Sequence, residues 1–74
     1  MSDEIINTIE SEVDRLSERV RALHNGEWVA LSYASGSWAA STHFIGLRSG
    51  ACDSPWVALQ MLEDEINTRE RLAA

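Results

Sequence analysis

Around Ser35-Gly36 the chain alternates in both directions, and few folds can use such a pattern. From Glu27 to Ala34, Val29, Leu31 and Tyr33 fall on one face of an extended strand. Trp28, Ala30, Ser32 and Ala34 fall on the other, because successive side chains of a strand point to opposite sides. A two-residue turn at Ser35-Gly36, with positive φ at the glycine, pairs Tyr33 with Trp38, Leu31 with Ala40 and Val29 with Thr42. All six then share one face, so register and pattern agree. The opposite face carries Ala30, Ser32, Ala34, Ser37, Ala39 and Ser41, bounded by Trp28 and His43, and it is flat and small-chained. The expected strands cover about 27–34 and 37–45, with 46–51 read as a short third strand after Gly46.

A hairpin with one apolar face needs cover, and the flanking segments supply it. Ile6, Ile9, Val13, Leu16, Val20 and Leu23 recur at steps of three and four. Between Glu10 and Arg21 every residue off that stripe is polar or charged. Ser2 or Asp3 can cap the start and Asn25-Gly26 can stop the end, which predicts a helix over about 3–24. Ser54 as N-cap followed by Pro55 opens a second helix over about 55–72. Its stripe is Leu59, Leu62 and Ile66, widened by Trp56, Val57, Ala58 and Met61. Residues 1–74 thus read as one α+β domain in two layers. An antiparallel sheet carries both helices on the face of Val29, Leu31, Tyr33 and Trp38.

A core this small supplies only ~3–5 kcal/mol. Cys52 is the only cysteine, so no disulfide can add to it, and a lone thiol fits the reducing cytoplasm. Self-association is the remaining means of support, and a homodimer is expected. Two surfaces suit it. The first is the stripe Ile6, Ile9, Val13, Leu16, Val20 and Leu23, which alternates between heptad positions a and d. The same stripe could instead pack on the chain's own sheet. The second is the small-chained sheet face with Trp28, Ala30, Ser32, Ala39 and Ser41. No apolar run reaches ~18 residues, so no membrane span is expected, and the acidic start Met1-Ser2-Asp3-Glu4 is unlike a secretory signal.

Residues that carry chemistry are sparse. His24, His43, Cys52 and Asp53 are the only plausible metal ligands, and none has a paired ligand spacing. Cys52 precedes a helix N-terminus, where a thiol can be activated, but no base accompanies it in sequence. No G-x-S-x-G elbow is present, and Gly26, Gly36, Gly46 and Gly50 are isolated rather than grouped around a phosphate. The expectation is a non-enzyme with no cofactor and no metal.

Charge gives the functional lead. Twelve acids against six basic residues, all arginine, leave a formal charge of −6. Such a chain repels phosphates, so direct binding of nucleic acid is disfavoured. Asp3, Glu10, Asp14 and Glu18 lie along one strip of the first helix. Glu10–Asp14 and Asp14–Glu18 are like-charge neighbours at i,i+4, each costing ~0.2–0.5 kcal/mol. As a functional surface, the strip would dock on a basic, nucleic-acid-handling protein, as small phage-type inhibitors of host machinery do. As a solvated face, it would be partly neutralised by Arg15 and Arg21. A structural module acting by self-association is the competing class. A third reading is an antitoxin-like regulator. The stretch from Trp28 to Ile66 loosely resembles the strand-hairpin-helix unit of HicB-like antitoxins in Gly46-Leu47-Arg48-Ser49-Gly50, Asp53-Ser54-Pro55 and Ala58-Leu59. That resemblance implies a toxin partner.

Overall fold

A computed structural model describes the backbone of residues 2–73 and the side chains of residues 8–73. The elements follow in the order helix, hairpin, helix: α1 (Ser2–Leu23), β1 (Val29–Ala34), β2 (Ser37–Thr42) and α2 (Pro55–Ala73). The hairpin register is the expected one, with Val29 opposite Thr42, Leu31 opposite Ala40 and Tyr33 opposite Trp38. Both turn residues lie in the left-handed region, Ser35 at φ 53° and Gly36 at φ 80°. Two positive φ values make a type I′ turn, whose twist suits a two-residue hairpin. The alternation predicted glycine's part in this turn but not the serine's.

Both helices cover one face of the sheet. Val29, Ala40 and Thr42 are buried beneath them, while Ala30, Ser32 and Ala34 on the reverse face are exposed. The core joins Leu16 and Val20 of α1 to Val29, Ala40, Cys52, Ala58, Leu59, Leu62 and Ile66. Ile9, Val13, Leu23, Leu31 and Trp38 pack partly against it. From Ile9 to Leu23 the α1 stripe is therefore used within the chain, on α2 and the hairpin. Cys52, just ahead of α2, belongs to this core, and its thiol lies 3.5 Å from the Met61 sulfur. Trp56, Val57 and Met61 do not widen the buried stripe of α2; each remains more than 40% exposed.

The expected third strand is only partly realised. Residues 47–52 run antiparallel beside β2 but form isolated bridges, Ser41 with Arg48 and Trp38 with Cys52. The span 38–41 faces the longer span 48–52, so one extra residue must bulge. Ser49 accommodates it: its N–H donates to the Ala40 carbonyl, and its Oγ accepts from the Ala40 N–H, both at 2.9 Å. Gly50 follows at φ 81°, left-handed backbone that favours glycine. A side chain thus does what a strand carbonyl would do in a regular ladder.

Both strands also stop short of the expected 27–34 and 37–45, and Glu27 is the cause. Its side chain is 1% exposed. Oε1 accepts the N–H groups of Trp28 at 3.0 Å and His43 at 2.6 Å. Oε2 accepts those of Phe44 and Ile45, both at 2.7 Å. The carboxylate takes three consecutive backbone donors, so residues 43–45 turn around it instead of extending β2. Burial pushes the carboxyl pKa up, but the four N–H donors outweigh it and hold the pKa below its ordinary value.

Candidate functional site

The apolar stripe of α1 separates two charged flanks with different surroundings. On one flank Glu12, Arg15 and Arg19 face α2. Arg15 bridges Glu12 at 2.6 Å and Glu63 at 3.0 Å. Arg19 bridges Glu63 at 2.8 Å and Glu70 at 2.6 Å, and it donates to the Asn67 side chain. Arg15, with Arg19 beside it, holds Glu63 below the usual carboxylate range, and Arg19 does the same for Glu70. The α1–α2 seam is thus closed on its solvent side by a network of partly exposed ion pairs.

The other flank carries the acidic strip. Glu10, Asp14 and Glu18 are exposed, and none makes an ion pair among the described residues. Arg15, expected to neutralise part of the strip, turns away to Glu12 and Glu63. The side chain of Asp3, the strip's fourth member, lies outside the described residues, as does that of Ile6. Beside Glu10 and Asp14 a groove of about 350 Å³ opens, lined also by Ile9, Val13 and Leu31. The strip therefore borders β1 rather than α2.

The residues expected for self-association divide in two. Leu16 and Val20 are buried, and Ile9, Val13 and Leu23 are half-buried against the core. Trp28, Ala30 and Ser32 are exposed, and Ala39 and Ser41 half-buried, on the sheet face that neither helix covers. Trp28 stacks on His43 at 4.3 Å. Phe44 meets both rings edge-on and stacks with His24 at 5.0 Å. Four rings thus gather around the end of the hairpin that Glu27 closes. Among the described residues no three His, Cys, Asp or Glu side chains converge on a point that could hold a metal ion. No helix among them is long and apolar enough to cross a membrane.

Glu27 escaped the sequence reading as a special residue, although a signal existed. By alternation it belongs to the inward set with Val29 and Leu31, and an acid in a core-facing position must find partners. The Arg15–Arg19 network had no comparable signal, because nothing in the chain says which residues of another helix will lie opposite.

Comparison with family models, with curated proteins and with solved structures finds no match.

Proposed function

We propose that the chain is a non-catalytic protein-interaction module, acting in the cytoplasm, whose acidic α1 flank docks on a basic, nucleic-acid-handling protein. One observation carries the reading. The acids facing α2 are matched by Arg15 and Arg19, whereas Glu10, Asp14 and Glu18 are left without a counter-ion among the described residues. Holding like charges at i,i+4 on a helix costs stability, so a strip that finds no partner in its own fold is suited to one outside it. A negative surface of this kind favours encounter with a basic surface and repels nucleic acid.

The test is capture from the source cell by immobilised wild type and by the triple variant Glu10→Gln, Asp14→Asn, Glu18→Gln, with bound proteins identified by mass spectrometry. The expected result is a basic protein retained by wild type, lost by the variant, and released as salt rises, since exposed charges are screened over ~10 Å at 0.1 M. The variant should be no less stable than wild type, because two repulsive pairs are relieved. A partner held equally by both proteins across a salt series would overturn the reading.

Self-association is the second reading, and the uncovered sheet face of Ala30, Ser32, Ala39 and Ser41 favours it. The α1 stripe now argues less for a dimer seam, since Leu16 and Val20 are spent in the core. A dimer mass by light scattering supports that reading, and a monomer mass refutes it.

A further inference from the structure

The geometry points to the outer edge of β1 as the site where an extended, basic segment of a partner protein adds as a further strand. The inference rests on the acidic surface proposed above and supplies its mode of contact.

The direction of each backbone group follows from the bonds on the far side of β2. Trp38 exchanges both hydrogen bonds with Cys52, Ala40 bonds Ser49, and the Thr42 N–H donates to the Leu47 carbonyl. Trp38, Ala40 and Thr42 therefore direct their backbone away from β1. Their partners Tyr33, Leu31 and Val29 direct theirs away from β2, because directly opposed antiparallel residues share the same bonding state. At Val29 the outward N–H is already taken, by Ser17 Oγ at 3.0 Å. Leu31 and Tyr33 each leave a donor and an acceptor on the edge with no partner among the described residues. An inward charge, a proline and a bulge, which blunt such edges, are absent from β1, and α1 covers the edge at Val29 through Ser17.

What lies beside this edge selects the occupant. The groove between α1 and β1 offers an apolar floor of Ile9, Val13 and Leu31 and a rim of Glu10 and Asp14 carboxylates. Successive side chains of an added strand point to opposite sides, so one set can enter the groove while flanking basic residues reach the carboxylates. Charge argues against a second copy of this chain, since pairing two β1 edges would bring two acidic strips together. A basic strand meets no such repulsion.

The probe is a short capped peptide alternating arginine and valine, with an N-methylated form that cannot donate from one edge as control. Amide exchange of the protein is followed by NMR with and without peptide. The expected result is protection of the Leu31 and Tyr33 amides on binding. Tyr33→Pro, which deletes an outward N–H and no hairpin bond, should weaken binding about tenfold, the worth of one hydrogen bond, and N-methylation, which removes the donors to both the Leu31 and Tyr33 carbonyls, should weaken it further. Folding of the variant is checked by retained exchange protection of the Ala30 and Ser32 amides, which bond across the hairpin. Peptide binding that is salt-dependent but leaves the Leu31 and Tyr33 amides unprotected would overturn the edge and leave the acidic docking surface standing. No binding by the peptide would also overturn the edge. Protection that grows with protein concentration in the absence of peptide would assign the edge to a second copy, which again refutes the inference.

Discussion

Replacing Glu27 with glutamine should be among the most damaging single-atom changes available in this chain. The wild-type carboxylate serves four backbone donors with two oxygens, at 2.6–3.0 Å. Glutamine keeps one oxygen and turns an NH₂ group against two of those donors. A buried donor left unpaired costs about 1–3 kcal/mol, and loss of charge weakens the bonds that survive. Because the donors belong to Trp28, His43, Phe44 and Ile45, which are not fully buried, the lower half of that range applies, for a total of about 2–4 kcal/mol. A core of this size supplies about 3–5 kcal/mol, so the change removes most of it. Urea unfolding followed by tryptophan fluorescence, with Trp28 adjacent to the change, provides the assay. With a urea slope near ~1 kcal/mol/M, the midpoint should fall by about 2–4 M, or the variant should be unfolded in buffer. Acid titration of the wild type needs no variant and reports the clasp together with the other lowered carboxyls. The folded carboxyl titrates below its ordinary value of 4.5, so its contribution is whole above that pH. It is lost as the pH falls through the lower, folded value. Glu63 and Glu70, also lowered, lose their contributions over the same acidic window. A Glu27→Gln midpoint corresponding to less than about 0.5 kcal/mol of destabilisation, the range of ordinary surface changes, would refute the account of the clasp.

Two further predictions concern elements that bind the layers together. Arg19→Met removes the bonds to Glu63, Asn67 and Glu70 while keeping the apolar stem; stability should fall by about 1 kcal/mol at low salt, with a smaller loss at high salt. A loss that is the same at both salt concentrations would count against an electrostatic role. Ser49→Ala leaves the Ala40 N–H without its acceptor and should cost about 1–2 kcal/mol, with faster exchange of the Ala40 amide and little change at Trp38, whose bond to Cys52 is independent. Equal acceleration at both amides would instead show that the whole edge had come loose.

Local patterns determined the elements of this protein. The period of α1, the alternation around Ser35-Gly36 and the Ser54-Pro55 cap each depend on residues a few positions apart, and each appears in the fold with shifts of one or two residues at most helix ends. The hairpin register was equally legible, since a slip of one residue would have turned Val29, Leu31 and Tyr33 to solvent. The acids of the strip could be placed on one helical face for the same reason. Tertiary contact alone decided which charges found partners. Arg15 and Arg19 meet Glu63 and Glu70 across 44–51 residues of chain, a pairing that no local period encodes. The early end of β2 and the interrupted third strand have the same origin. In each, a polar side chain, Glu27 or Ser49, captures backbone groups that propensity would have assigned to a regular ladder. Such captures depend on the position of a carboxylate or hydroxyl in the assembled core, and that position exists only after the helices have packed on the hairpin.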